Sequence, residues 1–323
     1  MVKGDRLLDL SIIIVNRNTR DLVLTCIESI YETVPQLSFE IFLVDNASDD
    51  GSVAAVLDRF PAVHAIGNDR NLGFARANNQ AIRKATGRFV VLLNTDTVLT
   101  SSALALIVEY MDSNPDVTIC GGQLLNRDGS LQNSIANLPT LATELLNKSL
   151  LRRLNPRRYP GKEHRFDQPV EVESIIGACM VVRREAIEGA GLLDETYFFF
   201  FEETDWCLAM KKKGGRVFFH PEARIYHLQG ETAKKNLVAA RIEYWKSRYT
   251  YFRKHYSAST FILLRSGLFA KLCCSVVLQL AGSLASSSAR ARLRVNAAIL
   301  FWHLLGCPAG WGLADQSVQE AKS

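Results

Sequence analysis

The sequence predicts an α/β protein with a mostly parallel, doubly wound central sheet, followed by amphipathic helices at the C-terminal end. Two observations support this fold class. Short, uncharged, β-branched runs alternate with segments whose apolar residues recur at helical spacing. After residue 256, long apolar stretches are interrupted by single arginines and lysines. This second pattern indicates helices that keep one polar face.

The strand predictions rest on short, mainly apolar runs, and an uncharged run such as residues 10–15 is typical of a strand buried on both faces of a parallel sheet. In chain order, these runs are residues 10–15, 40–44, 63–66, 88–93, 118–120, 170–176, 216–219 and 223–226. Helical spacing predicts helices over residues 21–33, 52–60, 78–85, 104–111, 184–189 and 205–213. Residues 126–168 are polar and arginine-rich, and we interpret them as an insertion with short helical pieces.

The C-terminal helices are predicted over residues 261–285 and 295–305, which are largely apolar but interrupted by Arg265, Lys271 and Gln279. The longest uncharged stretch, 272–289, fades into serine and alanine, whereas a membrane span needs about 20 mainly apolar residues. We therefore expect helices that lie in a membrane interface, with their cationic side chains reaching the headgroups. The alternative is a helical pair that packs on the protein's own core.

Composition and charge narrow the class of protein. Of the 323 residues, 48% are hydrophobic, which is ample for a buried core. The net charge of +5 is mild, but basic residues gather in the C-terminal third, where they could meet anionic lipid or nucleic acid. This third contains no recognisable nucleic-acid-binding motif. Its apolar content favours a membrane surface, and we expect no nucleic-acid partner.

The cysteines and the N-terminus indicate a cytoplasmic protein. None of the seven cysteines forms a C-x-x-C pair, and most lie inside apolar runs. We expect reduced, buried thiols and no zinc site. Residues 1–10 lack the apolar stretch of a secretory signal, so nothing in them argues for export.

Polar residues follow four of the predicted strands, at residues 16–18, 45–48, 68–71 and 94–97. In doubly wound sheets, ligands bind beyond the carboxyl ends of the strands. We therefore expect these residues to share one edge. Asp96 could bind a divalent cation that holds a diphosphate, and Asp45 could accept hydrogen bonds from a ribose or base. For both aspartates the alternative is a turn, which Asp and Asn often form.

Two further segments could carry chemistry. Gly73 would let the backbone approach a ligand closely, with Asn78 nearby as a donor, although the same residues could simply begin a helix. Glu202, Glu203 and Asp205 follow four consecutive phenylalanines, and an apolar surround raises the pKa of a carboxyl group and suits it to proton abstraction. The alternative is an acidic helix start with Thr204 as its N-cap.

His227 follows the strand-like residues 223–226. A neutral imidazole there could complete a metal site, although a lone histidine is more often structural.

The order of the motifs resembles the family-two glycosyltransferases, especially their rhamnosyltransferase-like branch. The segments that carry the resemblance cover about residues 10 to 230 and read SIIIVNRN, FLVDNASDDGS, NLGFARANN, VVLLNTDT and GLLDETYFFFFEETDWCL. Gly177-Ala178, and Tyr226-His227 with the nearby Gly230, also fit. The resemblance implies the nucleotide-binding A-type glycosyltransferase fold, a single Rossmann-like domain. On this basis we expect residues 8–255 to form the catalytic domain, and the apolar and basic pattern of the C-terminal helices predicts that residues 256–323 form a helical, membrane-associated region.

The resemblance also implies roles for individual residues. Asp96 and His227 would act at a Mg²⁺ or Mn²⁺ ion on the diphosphate. Asn94 stands where many relatives have the first aspartate of a D-x-D motif, and Arg17 stands where relatives often have an aromatic residue. The donor and acceptor would be bound by residues from several strand ends: Asn16, Asn18, Asp45, Asn46, Asn71, Gly73, Phe74, Asn78, Asn94, Gly177, Ala178 and Glu202.

The catalytic base implied by the resemblance is Glu203. Relatives usually carry Glu-Asp at this place, with the second residue as the base, whereas this chain has Glu202-Glu203. Glutamate is one methylene longer than aspartate, and Asp205 is therefore a competing candidate.

The expected function is inverting transfer of a sugar, with rhamnose as one candidate, from a nucleotide-diphosphate-sugar to a hydroxyl of a glycan or lipid-linked acceptor. We expect the protein on the cytoplasmic face of the plasma membrane, in cell-surface polysaccharide or glycolipid synthesis. The alternatives are a nucleotidyltransferase and a degenerate, non-catalytic nucleotide-binding scaffold. The first strand leads into Asn16-Arg17-Asn18 without glycines, which argues against the nucleotidyltransferase.

Overall fold

The computed structural model of the chain describes residues 8–161, 164–228, 236–283 and 286–314. Its strands are β1 (Leu10–Asn16), β2 (Phe39–Asn46), β3 (His64–Asn68), β4 (Phe89–Asn94), β5 (Thr97–Leu99), β6 (Val117–Leu125), β7 (Ile135–Ala136), β8 (Val170–Glu171), β9 (Ser174–Ile175), β10 (Cys179–Arg183) and β11 (Arg216–His227). Its helices are α1 (Arg20–Thr33), α2 (Ser52–Arg59), α3 (Phe74–Ile82), α4 (Ala103–Ser113), α5 (Leu141–Leu145), α6 (Lys148–Leu154), α7 (Arg184–Ala190), α8 (Glu202–Lys212), α9 (Leu237–His255), α10 (Ala258–Ser283) and α11 (Ser287–Leu304).

The described residues form two compact units. The first consists of the described parts of Met1–Leu138, Pro160–Glu195 and Glu202–Gln229, and we call it the sheet unit. The second consists of the described parts of Pro139–Tyr159, Thr196–Phe201 and Gly230–Ser323, and we call it the helical unit. The predicted boundary at residue 255 separates a catalytic domain from a membrane-associated region. The two units are defined by their internal packing, so they do not test this boundary, and it stays a prediction.

The main sheet of the sheet unit has the strand order β3-β2-β1-β4-β10-β6-β11-β5, with β8 added beside β11. Strands β1 to β4 that neighbour one another are parallel, as are β6 and β11. Strand β10 runs antiparallel to β4 and β6. The predicted α/β class with a mostly parallel central sheet and C-terminal helices is confirmed.

Both faces of this sheet are buried, which explains the uncharged runs in its central strands. Ile12 and Ile14 of β1 pack with residues of α1 and α4 in one apolar cluster. Ile13, between them, points to the opposite face and packs with residues of α3, α7 and α8. Burial of apolar area contributes about 25 cal/mol per Å², so these two clusters supply the main stabilisation of the unit.

Several element boundaries differ from the sequence-based ones. Helix α3 begins at Phe74, not at residue 78, because Gly73 has a left-handed φ of 81° and ends the preceding loop. Helix α8 begins at Glu202, so Thr204 lies inside the helix and not at its N-cap. The two runs predicted at 216–219 and 223–226 are one strand, with a register shift around Pro221. A bulge of this kind lets a strand accommodate proline.

The helical unit contains one helix that is long and apolar enough to cross a membrane by length and composition, over Ala258–Leu280 of α10 with a mean hydropathy of 1.9. Within the unit, the guanidinium of Arg248 lies 2.9 Å from a carboxylate oxygen of Glu144 and covers the ring of Tyr244. The predicted C-terminal helices therefore have counterparts in α10 and α11, and α9 is an additional helix before them.

A buried polar bridge joins α9 to α11. Nδ1 of His303 lies 2.8 Å from the carbonyl oxygen of Ile299. Because a carbonyl oxygen can only accept, Nδ1 carries the hydrogen and donates this hydrogen bond. Nε2 therefore accepts from the hydroxyl of Tyr249, at 2.8 Å. Burial lowers the pKa of His303 and raises that of Tyr249. Both groups remain neutral in the folded unit.

We expect Tyr249→Phe to lower the free energy of unfolding by about 1–3 kcal/mol, because Nε2 of His303 is then buried without a donor. Tyr31→Phe, an exposed tyrosine on α1, is the matched control and should leave stability unchanged. Chemical denaturation at pH 7.5 measures both variants. Wild-type stability should also fall as pH drops below about 6.5, because the unfolded histidine then takes up a proton that the folded one resists. Equal stability of Tyr249→Phe and wild type would contradict the bridge.

Candidate active site

The predicted strand ends lie along one edge of the main sheet. The strand registers pair Asn16 with Asp45, Asn46 with Asn68, and Val15 with Asn94. The carboxyl ends of β1, β2, β3 and β4 therefore stand side by side, as expected for parallel neighbours. Asp45 and Asn94 are brought to the same edge although they are far apart in sequence. The amino end of β10 joins this edge, because Cys179 pairs with Leu93.

Asp45 is held by a dense set of hydrogen bonds. Its Oδ1 accepts from Nδ2 of Asn16 at 2.7 Å and from the hydroxyl of Ser48 at 2.6 Å, and its Oδ2 accepts from the backbone N–H of Ser48 at 2.9 Å. Nδ2 of Asn16 also lies 2.8 Å from the Ser52 hydroxyl, and Oδ1 of Asn16 accepts from Thr19 at 2.7 Å. Asn16 is fully buried and uses its amide within the protein. It can therefore fix the orientation of Asp45, which is itself only 5% exposed.

Asn18 continues the same turn. It has a left-handed φ of 51°, its backbone N–H donates to the Ser48 hydroxyl at 2.9 Å, and its Oδ1 accepts from the N–H of Asp49 at 2.9 Å. The hydrogen bonds in residues 45–51 are therefore those of a turn, which was the alternative interpretation of Asp45. They do not decide the ligand-binding interpretation, because each carboxylate oxygen can accept more than one hydrogen bond.

The second loop at this edge is anchored by Asn46. Its Nδ2 donates to the carbonyl of Gly73 at 3.2 Å, and its Oδ1 accepts from Asn68 at 3.0 Å. Oδ1 of Asn71 accepts from the N–H of Gly73 at 3.0 Å. Gly73 has φ 81° and ψ −178°, a conformation open essentially to glycine alone. The loop is therefore held in a single shape that a side chain at position 73 would disturb.

Helix α3 starts directly after this loop with Phe74, which packs against the second apolar cluster of the sheet. Nδ2 of Asn78 donates to the Phe74 carbonyl at 2.9 Å, and the Asn78 side chain is buried. Asn79 bonds to both the N–H and the carbonyl of Leu193 and to the carboxylate of Glu195. Asn78 and Asn79 thus fix the first turns of α3 from inside the protein.

Asp96 and His227 meet across two strands. Nε2 of His227 lies 3.4 Å from Oδ1 of Asp96, and the two side chains are 13% and 15% exposed. Strand β11 ends at His227, which pairs with Thr97 of β5. Nδ1 of His227 lies 3.1 Å from Oε1 of Gln132, and Nε2 of Gln132 donates to the His227 carbonyl. Gln132 therefore orients the imidazole, with Nδ1 as the donor to Oε1 and with Nε2 facing Asp96.

The Asp96–His227 pair fits a divalent cation. A carboxylate oxygen and a neutral imidazole nitrogen are both ligands of Mn²⁺, and orientation of the imidazole by a second side chain is typical of metal sites. Among the described residues, no group of three or more His, Cys, Asp or Glu side chains could hold an ion by themselves. Cations that bind nucleotides commonly take one or two protein ligands and complete their shell with phosphate oxygens and water.

The acidic segment forms the first turn of α8. Glu202 and Asp205 are 4% and 3% exposed, whereas Glu203 is only partly buried and remains open to solvent. Desolvation raises the pKa of Glu203, and backbone N–H groups of Glu203 and Thr204 partly oppose that rise. Of these three acidic residues, Glu203 is therefore the least buried.

Gly177 joins Glu203 to the strand edge. A Cβ atom at position 177 would lie 3.3 Å from Cγ and 3.4 Å from Cβ of Glu203, so the Glu203 side chain lies beside Gly177 and leaves little room for a larger residue there. The carbonyl of the next residue, Ala178, accepts a hydrogen bond from the N–H of Asn94 at 2.9 Å. Asn94 in turn lies two residues before Asp96. The general-base candidate therefore lies beside Gly177, and the next residue, Ala178, is hydrogen-bonded to Asn94 at the end of the strand that leads to Asp96.

We expect Gly177→Ala to reduce turnover about tenfold, because the added methyl group would push the Glu203 side chain by a few tenths of an ångström. The control is Gly189→Ala, since an added Cβ at position 189 meets no atom within 4 Å. Steady-state kinetics of both variants measure the effect, which should appear in kcat and not in the affinity for nucleotide. Unchanged kcat in Gly177→Ala would show that the position of Glu203 is not critical.

The structure adds residues that the sequence analysis did not single out. Gln132 contacts His227 from the segment that we interpreted as a variable insertion, and Ser48 and Ser52 complete the Asp45 network. The spacing of these residues gives no signal, because each acts on a partner more than 30 residues away, apart from Ser48 on Asp45. Gly230 lies outside the described residues.

The chain is similar to proteins of known activity. It is 24% identical over 232 residues to an N-acetylglucosaminyl-diphospho-decaprenol L-rhamnosyltransferase of Mycobacterium tuberculosis, covering 67% of this chain and 75% of the relative. It is 26% identical over 176 residues to a dTDP-rhamnosyl transferase of Shigella flexneri, covering 54% of each chain. The expected likeness to the rhamnosyltransferase-like branch is confirmed by these two matches.

A structural comparison supports the same fold. The mannosyltransferase from Pyrobaculum calidifontis, solved in complex with GDP-Man and Mn²⁺, matches with a TM-score of 0.56 and 17% identity, over 94% of this chain and 88% of that chain. At this identity the match bears on the fold alone, and it agrees with the predicted A-type fold. The model of the family described as glycosyl transferase family 2 matches residues 11–190, more than half of the chain. The chain is therefore a glycosyltransferase that belongs to glycosyl transferase family 2.

Proposed function

We propose that this protein is an inverting, metal-dependent glycosyltransferase that uses a nucleotide-diphosphate-sugar donor and a hydroxyl acceptor. The observation that carries the proposal is that Glu203 lies beside Gly177, while the next residue, Ala178, accepts a hydrogen bond from Asn94, two residues before Asp96. A carboxyl group with a raised pKa thus lies near the strand edge that carries a pair of candidate cation ligands.

Asp96 and His227 would hold the cation, Mg²⁺ or Mn²⁺, and the ion would neutralise negative charge on the diphosphate. Gln132 fixes the imidazole, so that the pair is formed before any ligand arrives. The Mn²⁺ in the solved mannosyltransferase supports this choice of ion.

Donor binding is assigned to the residues at the ends of β1 and β2 and to the loop after β3. Asp45 would accept hydrogen bonds from the nucleoside, supported by the rigid network of Asn16 and Ser48 around it. Asn18, Asn46, Asn71, Gly73, Phe74 and Asn78 shape the two loops on either side. Gly177, Ala178, Asn94 and Glu202 border the position of the sugar.

Glu203 acts as the general base. Its carboxylate takes the proton of the acceptor hydroxyl while that oxygen attacks the anomeric carbon. The bond from the anomeric carbon to the diphosphate oxygen breaks, and its electron pair leaves with the nucleoside diphosphate. A single displacement of this kind inverts the anomeric configuration. Asp205 is disfavoured as the base because it is only 3% exposed, and a base must come within hydrogen-bond reach of its substrate.

The substrates and location follow from the relatives by analogy. The names of the two rhamnosyl transferases support rhamnose as the first sugar to test, and one of them names a lipid-linked diphosphate acceptor. We assign the protein to cell-surface polysaccharide or glycolipid synthesis at the cytoplasmic face of the membrane. Its apolar helix α10 is in keeping with that location.

A panel of nucleotide-sugars tests the proposal. Purified protein is incubated with each donor, with Mn²⁺, Mg²⁺ or chelator, and release of nucleoside diphosphate is measured, including slow donor hydrolysis without acceptor. We expect release from one donor, dependent on the ion, and the product of acceptor transfer should carry the inverted anomeric linkage by NMR. Nucleotide binding without any release from the whole panel would favour a non-catalytic scaffold instead.

A further inference from the structure

The exposed large hydrophobic side chains are concentrated in the helical unit. Among the described residues, only Tyr31 and Leu57 of this group belong to the sheet unit. The others are on or beside the helices of the helical unit: Leu146, Leu150, Leu154, Leu237, Ile262, Leu263, Val277, Leu278, Leu280, Phe301, Leu304 and Leu305. Such a concentration indicates a surface that contacts something other than water.

The same unit is strongly basic. The segments that make it up contain eighteen lysines and arginines against five aspartates and glutamates. Residues 244–314 contain no acidic residue at all. Because the whole chain has a net charge of +5 and these segments contribute +13, the rest of the chain has a net charge of −8, so the net positive charge belongs to the segments of the helical unit. An anionic partner would therefore be attracted to this unit specifically.

Two helices carry both exposed cations and exposed apolar side chains. On α6, exposed Arg152 and Arg153 lie between exposed Leu150 and Leu154. On α11, exposed Arg290, Arg292 and Arg294 occupy the first turns, and Phe301 and Leu304 are exposed near its end. This combination fits an anionic bilayer, which offers negative headgroups beside an apolar interior.

Helix α10 presents one face to the protein and one to the outside. Leu264, Leu268 and Leu272 are buried at four-residue spacing. Leu263, Ala270, Cys274 and Val277 are exposed on the other side, and residues 272–280 carry no charge. The outer face can therefore enter an apolar phase without desolvating an ionised group.

The middle of α10 is fixed within the helical unit. Nζ of Lys271 donates to the carbonyls of Glu144 and Leu145 at 3.0 and 3.3 Å, at the C-terminal end of α5. A Cβ at Gly267 would lie 2.7 Å from a methyl carbon of Leu145, so the two helices are in close contact there. A helix that spans a bilayer must expose about 20 residues to lipid or to other membrane helices. If α10 crossed the bilayer, these contacts would break, and the charged Lys271 side chain would be buried in the apolar interior of the membrane.

We propose that the outer faces of α6, α10 and α11 form a lipid-binding surface for an anionic bilayer, on which α10 lies in the headgroup region without crossing the membrane. The inference rests on the proposed function only in that a lipid-linked acceptor would be found there. Binding to vesicles requires neither donor nor acceptor, so its failure and a failure of sugar transfer are separate results.

The first test measures sedimentation of the full chain with vesicles of phosphatidylcholine alone or with 30% phosphatidylglycerol, a composition of about physiological charge. We expect binding to the anionic vesicles that weakens with salt, as screening of surface charges requires. The triple substitution Arg290→Gln, Arg292→Gln and Arg294→Gln should weaken binding about tenfold or more. The control, Lys84→Gln, Arg127→Gln and Lys213→Gln, removes the same charge from exposed positions of the sheet unit and should bind normally.

The second test measures the depth of α10. Cys274 is exposed on its outer face, and substituting Cys273 and Cys307 by serine leaves it as the reactive thiol. The remaining thiols are buried, and desolvation raises the pKa of Cys26 and Cys179 to about 12 and that of Cys207 to about 11. A fluorophore on Cys274 should be quenched best by lipids brominated near the headgroup, at a depth of about 5–10 Å. Strongest quenching at the bilayer centre would show that α10 crosses.

Two other outcomes overturn the proposal. Equal loss of vesicle binding in the arginine variant and its control would show that net charge, and not this surface, attracts the lipid. Retention of the protein in the supernatant with both vesicle types, together with salt-sensitive binding to a single-stranded DNA oligonucleotide, would assign the basic surface to nucleic acid.

Discussion

Glu203→Gln is expected to lower kcat by about 10²–10⁴-fold, the usual contribution of a general base. The amide is nearly isosteric with the carboxylate but cannot accept the proton of the acceptor hydroxyl. Affinity for the nucleotide should be unchanged, because Glu203 contacts Gly177 and not the Asp45 network. Kinetics with saturating donor, together with calorimetric titration of the nucleoside diphosphate, separate the two effects.

Measuring the stability of Glu203→Gln shows whether its loss of activity could be caused by unfolding. Desolvation raises the pKa of Glu203, so the folded protein favours the protonated form more than the unfolded chain does. The contribution of this group to stability is therefore complete below the unfolded pKa and is lost as pH rises through the folded pKa. The neutral amide of glutamine does not ionise, so the variant does not lose stability as the pH rises. We expect Glu203→Gln to melt at or above the wild-type temperature at pH 7.5, even though it is inactive.

Two matched variants decide the identity of the base. Glu188→Gln makes the same chemical change at an exposed position of α7 and should be fully active. Asp205→Asn changes the buried competitor and should lower activity only through its effect on folding. An inactive, well-folded Asp205→Asn beside a normally active Glu203→Gln would reverse the assignment. The wild-type rate should also rise with pH through the raised pKa of Glu203, because only the ionised carboxylate accepts a proton.

The strand ends of this site could be predicted from sequence because a parallel sheet imposes few choices. Uncharged runs such as residues 10–15 identify doubly buried strands, and the next polar residues must then lie at the ligand-binding edge. Asp45 and Asn94 reach that edge by this argument alone. The resemblance to a known family supplied the roles, which spacing could not.

The remaining features depend on contacts between residues distant in sequence. Gln132 bonds to His227 across 95 positions, and Glu203 packs on Gly177 through the absence of a side chain. The sequence analysis predicted two separate runs at residues 216–219 and 223–226, whereas the structure has one strand, β11, that accommodates Pro221 in a register shift. The burial of Asn16 could not be predicted from the sequence either. A polar residue at a strand end can contact a ligand or hold the protein's own loops in place, and the sequence does not distinguish the two roles.

Asp96→Asn is expected to reduce kcat/KM by about 10³-fold or more, because the charge that would hold the cation against the diphosphate is removed. The asparagine preserves the shape and can still accept a hydrogen bond, so the protein should remain folded. Electron paramagnetic resonance of Mn²⁺ in the presence of nucleoside diphosphate provides a readout independent of turnover. We expect weaker Mn²⁺ binding in Asp96→Asn, and no change in Asp58→Asn, where the same substitution is made at an exposed position of α2.

The neighbouring positions make this prediction sharper. Gln132→Ala should weaken Mn²⁺ binding about tenfold, because His227 loses the partner that orients its imidazole, while the charge of the site is unchanged. Asn94→Asp adds a second carboxylate two residues before Asp96 and should raise Mn²⁺ affinity if the ion sits at this strand end. Full activity of Asp96→Asn in chelator would remove the metal from the mechanism. Hydrogen-bond donors at the strand edge would then have to stabilise the leaving group alone.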